Sequence, residues 1–205
     1  MIRHLIFDIG MVLVDFRWKK LMQELGITGE ALSHTAKATV EGPYWNEFDR
    51  SRIPGETICK MCCDLDPAYA SQIRLYFDHI GEICREYPYA YDWLHSYKEQ
   101  GYGIYLLSNY AKLSFESVQP PFSFLPLADG RVISYEVQEI KPNPAIYHIL
   151  LNRYSLRPDE CVFIDDNSAN IDTARVLGLH GIVHTSREET DRAITRLLSG
   201  DTSYA

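Results

Sequence analysis

The sequence lacks any uncharged apolar run close to the roughly 18 residues a bilayer span requires; Ile9 to Val14 is typical of what it offers. No membrane-spanning helix is expected. No secretory signal is read at the start either, because the apolar run that opens at Leu5 meets Asp8 after three residues, so the expected location is cytoplasmic. Positive charge is also scarce. Twenty Lys and Arg stand against 28 Asp and Glu, a formal charge of −8 that argues against a general nucleic-acid or anionic-membrane partner. Any anionic ligand must then be held by a local device. Cysteine is too sparse, at five in 205 residues, for a disulfide scaffold, and Cys59-x-x-Cys62 has no second ligand pair to complete a structural zinc site. Cys59, Cys62, Cys63, Cys84 and Cys161 read as ordinary reduced thiols. There is no G-x-x-x-x-G-K for a nucleotide-binding loop, no internal repeat and no low-complexity segment, and the seven histidines read as surface or core residues rather than as metal ligands or a nucleophile–base pair.

What is present is 46% apolar residues, enough for one sizeable core, in a length that fits one domain or a domain with an insertion. Short apolar runs of strand length end abruptly at polar residues. His4-Leu5-Ile6-Phe7 stops at Asp8, Gly103 to Leu107 stops at Ser108-Asn109, and Cys161 to Ile164 stops at Asp165-Asp166-Asn167. A fourth run is Gly181 to His184. Helical patterns alternate with them: Ala90 to Gln100 before Gly101, Asn143 to Asn152 opened by prolines, Ser168 to Leu177 closed by Gly178, and Arg187 to Leu198. That alternation predicts an α/β fold, a doubly wound, Rossmann-like parallel sheet, over residues 1–15 and 88–198, with a tail at 199–205.

About 70 residues, 16–87, separate the first strand from the rest, against the ~10–12 a simple crossover needs. Their patterns are helical. Trp18, Leu21, Met22 and Leu25 share one face, as do Ile58, Met61 and Cys62; Asp15 suits a cap of the first helix and Pro54 the start of another. A small inserted helical cap over the core is expected.

Ligands of open parallel sheets bind outside the carboxyl ends of the strands, so Asp8, Ser108 with Asn109, and Asp165 with Asp166 should face one crevice. Three carboxylates brought together repel unless a cation sits among them, and Mg²⁺ is the simplest hard, oxygen-liganded choice. The divalent ion leaves one negative charge, which Lys141, opening Lys141-Pro142-Asn143-Pro144, is best placed to cancel.

This constellation resembles the haloacid dehalogenase superfamily of aspartate-nucleophile hydrolases over nearly the whole chain. Its four motifs look like Phe7-Asp8-Ile9-Gly10-Met11-Val12-Leu13, Leu107-Ser108-Asn109, Lys141-Pro142, and Ile164-Asp165-Asp166-Asn167 followed by Asn170-Ile171, with the insertion where that family's helical cap belongs. The resemblance implies a Mg²⁺-dependent phosphatase acting on a small phosphorylated metabolite, with a sugar phosphate as one class. By that reading Asp8 attacks phosphorus and forms an aspartyl-phosphate, while Asp8, the Gly10 carbonyl and Asp166 hold the metal with Asp165 as ligand or just behind it. Ser108, the Asn109 backbone N–H and Lys141 would meet the phosphoryl group.

One position departs from the family pattern. Most phosphatases of the superfamily carry a second aspartate two residues after the nucleophile as acid and base, and here that residue is Gly10. A subgroup similar to bacterial α-glucose-1-phosphate phosphatases also has glycine there, and its cap has an aromatic and acidic stretch comparable with Tyr44-Trp45-Asn46-Glu47-Phe48-Asp49-Arg50; Met11 replaces that subgroup's asparagine. Loss of a positioned acid commonly costs about 10²- to 10⁴-fold, so the expectation is a preference for leaving groups that need little protonation, or an acid borrowed from the cap or substrate. Asp15 is a candidate donor, with helix capping as its plainer role. Asn170 is expected to orient the aspartate loop, and Tyr87, Tyr89 and Tyr91 either line the cap-core cleft or pack in the core. Two other readings stay open: a non-catalytic phosphate-binding module that kept the metal site, and a dehalogenase, which the paired Asp165-Asp166 disfavours.

Overall fold

A computed structural model describes residues 1–199; apart from Ser199, the tail expected at 199–205 lies outside them. The strands are β1 (His4–Phe7), β2 (Val14–Phe16), β3 (Cys84–Glu86), β4 (Gly103–Ser108), β5 (Gly130–Ile133), β6 (Cys161–Asp165) and β7 (His180–Val183). The helices are α1 (Trp18–Glu24), α2 (Gly29–Ala38), α3 (Trp45–Arg50), α4 (Gly55–Leu65), α5 (Ala70–Asp78), α6 (Ala90–Glu99), α7 (Lys112–Glu116), α8 (Ser134–Val137), α9 (Pro144–Arg153), α10 (Ser168–Val176) and α11 (Arg187–Leu198). Among them, no helix is long and apolar enough to cross a membrane.

Five strands form one parallel sheet in the order β5-β4-β1-β6-β7. The central strands are apolar at nearly every position because helices cover both faces; Leu5, Ile6, Phe7, Leu106, Leu107, Val162, Phe163 and Ile164 are all fully buried. One face packs under α6 and α11 around Trp93, the other under α9 and α10 around Tyr147. Register does the positioning. Phe7 lies level with Leu106 on β4 and Ile164 on β6, so the next residues, Asp8 and Asp165, leave adjacent strands side by side. The Asp8 N–H donating to the Ile164 carbonyl at 2.9 Å extends the ladder by one step.

The sequence reading misses β5, a short edge strand with a glycine and an arginine in it, which pairs with β4 from Tyr105↔Gly130 to Ser108↔Ile133. Its Gly-Arg-Val-Ile composition carries no run long enough to stand out. The fourth expected strand forms one residue earlier, at His180–Val183.

Between β1 and β4 the chain leaves the sheet through an antiparallel ribbon, β2 with β3, which the sequence does not announce. Asp15 sits in that ribbon opposite Arg85. Its expected capping role is therefore corrected: Arg17 precedes α1 at the N-cap position and no side chain caps the helix. The five helices α1 to α5 bury an apolar cluster of their own, with Leu21, Met22, Phe48, Ile58, Cys62 and Tyr76 inside. Tyr87 and Tyr89 stack on each other, and Tyr89 meets Trp93 edge-on against the core cluster. Tyr91 is exposed and stacks on His95.

Trp93 ties the sheet to both covering helices: its ring meets Phe7 edge-on at 5.2 Å, and its indole N–H donates to Asp191 on α11 at 2.6 Å. Trp93→Ala is expected to lower unfolding free energy by about 3–5 kcal/mol in urea titrations, the range for emptying a fully buried aromatic site; a loss below about 1 kcal/mol would show that the α6–α11 face does not depend on it.

Candidate active site

Asp8 follows β1, Ser108 ends β4 and Asp165 ends β6, so three neighbouring strands deliver them to one rim, where all three are buried. The Lys141 side chain enters from the loop between α8 and α9 and is likewise buried. Its ammonium lies 2.8 Å from Asp8 Oδ1, 2.6 Å from Asp165 Oδ2 and 3.0 Å from the Leu107 carbonyl. Those contacts use all three of its hydrogens. Burial alone would lower the Lys141 pKa, but Asp165 and Asp8 more than offset it and carry it above the ordinary lysine value.

Lys141 is itself held. Asn109 accepts the Lys141 N–H through Oδ1 at 2.8 Å and donates from Nδ2 to the Lys141 carbonyl at 3.0 Å, a reciprocal pair that pins the loop to the end of β4. Asp165 is held more fully still. Its Oδ1 accepts from the Asn167 N–H (2.8 Å) and Asn170 Nδ2 (3.0 Å), and its Oδ2 from Asn170 Nδ2 (3.0 Å) and Lys141. The four lone-pair positions of that carboxylate are taken. Asn170 is buried, so it orients Asp165 as the sequence suggests. Ser108 does not cap the next helix, whose N-cap residue is Ala111.

Asp166, one residue beyond the strand, is exposed. Ligand oxygens of Asp8, Asp165 and Asp166 all lie within 4.8 Å of one another, the only such cluster of metal-ligating side chains among the described residues. Two opposed Mg–O bonds of ~2.1 Å span ~4.2 Å, so the spacing suits one small hard cation. The charge balance does too: burial pushes the Asp8 carboxyl up to about 7, with Lys141 and Ser108 drawing it back and Asp165 adding to the rise. Asp166 is raised as well, by desolvation and by Asp165. A divalent cation would relieve both.

The turn after Asp8 is tight. The Leu13 and Val14 N–H groups donate to the Ile9 carbonyl at 2.9 and 3.0 Å, and Met11 sits at φ 57, a left-handed conformation that a methionine adopts under strain. Above it lies a cavity of about 200 Å³ whose floor is Asp8, Gly10 and Asp166 and whose walls include Met11, Phe16, Trp45, Ile83, Asn109 and Tyr110. A larger cavity of about 720 Å³ lies beside β3 and contains none of these carboxylates.

The cavity holds one further carboxylate, Asp49 of α3. Asp15, the donor candidate chosen for its nearness in sequence, is not among the lining residues. Asp49 lies 41 positions from Asp8 in the chain. Its only sequence signal is its place in the aromatic and acidic stretch from Tyr44 to Arg50. The thiols belong elsewhere: Cys59 and Cys62 sit on α4 with pKa values pushed up to about 12 by burial.

A family model described as hydrolase, haloacid dehalogenase-like hydrolase, matches residues 2–178, and the chain belongs to that family. It is 27% identical over 191 residues to D-ribitol-5-phosphate phosphatase from Bacteroides thetaiotaomicron, covering 87% of this chain and 89% of that protein. It is 24% identical over 200 residues to drimenol cyclase drtB from Aspergillus calidoustus, but it spans only 37% of that protein's length against 96% of its own. Among solved structures, a haloacid dehalogenase family enzyme from Bacteroides thetaiotaomicron, crystallised as an Asp-to-Ala mutant with magnesium and inorganic phosphate, superposes with a TM-score of 0.72 at 20% identity, over 94% of this chain and 99% of that one.

Removing the buried ammonium leaves the carboxylates unbalanced. Lys141→Met is expected to cost about 3–5 kcal/mol of stability at pH 8 without divalent cation. The loss should shrink at pH 5, where carboxyl groups with raised folded-state pKa values bind protons and no longer repel. Denaturant titrations at the two pH values measure it; an equal loss at both would contradict the charge-balancing role.

Proposed function

We propose that the chain is a Mg²⁺-dependent phosphatase that hydrolyses a small phosphomonoester through an aspartyl-phosphate on Asp8. The observation that carries this reading is the gathering of Asp8, Asp165 and Asp166 within 4.8 Å at the floor of a cavity, backed by a buried lysine. The D-ribitol-5-phosphate phosphatase relative supports it by name.

Oδ1 of Asp8 is committed to the Ile9 N–H at 2.7 Å and to Lys141, so Oδ2 has the acceptor capacity to attack phosphorus in line. The Ser108 hydroxyl and the Asn109 backbone N–H would donate to the phosphoryl oxygens. Lys141 has no hydrogen left for the substrate; it acts as counter-charge to Asp8 and through space on the phosphate. With every lone-pair position of Asp165 filled, Asp8, Asp166 and the Gly10 carbonyl would hold the Mg²⁺, which when bound supplies neutralising charge for the phosphoryl oxygens. The volume of about 200 Å³ favours small leaving groups, and short polyol or sugar phosphates are the first class to test.

Malachite-green assays of phosphate release across a panel of phosphomonoesters are expected to show turnover that requires Mg²⁺ and vanishes in Asp8→Asn. Tight phosphate binding without turnover in the unaltered protein would instead favour a non-catalytic module. Because the anionic form of Asp8 binds the cation, Mg²⁺ affinity measured calorimetrically should rise with pH through about 7 and be about tenfold weaker at pH 6 than at pH 8. A flat profile would remove Asp8 from the ligand set.

A further inference from the structure

The phosphatase reading leaves one chemical requirement unmet, a proton for the leaving oxygen, since Gly10 has no side chain to give one. We infer that Asp49 of α3, reaching in from the cap, is the general acid of this enzyme and the base that later activates water. The inference rests on the proposed phosphatase activity.

Three observations place Asp49 for that work. It lines the same small cavity as Asp8, Gly10 and Asp166. Its helix is fixed to the core: the Ser134 hydroxyl donates to the Asp49 carbonyl at 2.7 Å and accepts the Tyr110 N–H at 2.8 Å, tying α3 to the segment just after Ser108 and Asn109. The following residues repeat the tie, Ser51 accepting the Lys112 N–H at 2.9 Å and Arg52 pairing with Glu139 at 3.1 Å. A buried serine and two flanking contacts therefore hold Asp49 over the crevice.

Its surroundings favour the protonated acid. Burial, then the charge of Asp8, push the Asp49 carboxyl up to about 7, with Lys141 and Arg50 only partly opposing. Phe16, Trp45 and Ile83 wall the same space, an apolar surround that favours the neutral form of a carboxyl group. A carboxylic acid kept near neutrality beside a nucleophile is the pairing that lets one group attack while the other protonates.

The step balances. As Asp8 Oδ2 bonds to phosphorus, the phosphorus–oxygen ester bond breaks, its electron pair goes to the leaving oxygen, and that oxygen takes the Asp49 proton to become an alcohol. Asp49, now a carboxylate, then takes a proton from the water that attacks the aspartyl-phosphate. The Asp8–phosphorus bond breaks, and phosphate leaves with both carboxyl groups restored.

The test is leaving-group dependence. Steady-state rates with Mg²⁺ on p-nitrophenyl, phenyl and n-butyl phosphate are measured for the unaltered protein, Asp49→Asn, Gly10→Asp and the double variant. Asp49→Asn should lower kcat/KM on butyl phosphate by about 10²- to 10⁴-fold and on p-nitrophenyl phosphate by only a few-fold. Gly10→Asp is sterically permitted, because a Cβ at that position meets no atom within 4 Å. In the double variant it should restore butyl phosphate turnover relative to Asp49→Asn. An equal drop on all three esters from Asp49→Asn, or no drop at all, would overturn the inference. Even if Asp49→Asn does not fold, the unaltered protein tests the inference: its kcat/KM should fall only a few-fold from p-nitrophenyl to n-butyl phosphate, and a fall of about 10²-fold or more would overturn it. Absence of Mg²⁺-dependent phosphate release in the unaltered protein would instead overturn the phosphatase reading itself.

Discussion

The site depends on one buried ammonium. Lys141 reaches the carboxyl end of the sheet and bonds to groups at the ends of β1, β4 and β6 at once, through Asp8, the Leu107 carbonyl and Asp165. Without it, register alone would bring Asp8 and Asp165 out side by side on adjacent strands, in a setting that strongly disfavours like charges. The polar groups around it read as a means of keeping that nitrogen fixed. Asn109 grips the Lys141 backbone from both sides, Asn170 and the Asn167 N–H complete Asp165, and the Phe163 ring lies 5.4 Å from the ammonium. Residues that look like separate ligands in the sequence are physically one network, in which the loss of any member leaves a buried partner unsatisfied.

That network divides the carboxylates by role. Asp165 spends its acceptor capacity on the protein, so it fixes geometry, whereas Asp8 and Asp166 keep capacity for what enters the crevice. The division follows from one residue of chain. Asp165 is the last residue of β6 and fully buried, and Asp166 lies just past it in solvent. Two consecutive aspartates thus meet opposite environments because the strand ends between them.

Much of this was legible in the sequence because parallel strands write their ends plainly: a buried apolar run followed by a polar residue marks the rim, and Asp8, Ser108 and Asp165 all lie where such runs stop. Asn143 capping α9 and Asn167 capping α10 through their side chains are equally local signals. What was not legible depends on contacts distant in the chain. The β2–β3 ribbon joins residues about 70 positions apart, and only that pairing turns Asp15 from a helix cap into a strand residue. β5 is recognisable only once β4 is there to pair with. Asp49 sits on a helix of six residues, and no periodicity links it to Asp8; the Ser134 contact that fixes it spans 85 positions.

The glycine at position 10 gains a physical rationale from the same electrostatics. It is not demanded by packing, since a side chain there would have open space. An aspartate at that point would, however, add a further carboxylate to a rim where Asp8, Asp165 and Asp166 already share one lysine, and where burial and repulsion already hold Asp8 near 7. Carrying the acid on the cap instead separates the proton donor from the cation cluster. Its pKa is then set mainly by burial and by Asp8, while Lys141 stays committed to the strand ends. It also makes the acid depend on the contacts that hold α3, since Ser134 ties the Asp49 carbonyl to the segment after β4 and Phe16, Trp45 and Ile83 wall the same cavity. The proton donor and the nucleophile thus come from segments 41 positions apart in the chain, and the contact of Ser134 with the Asp49 carbonyl is what keeps the two together.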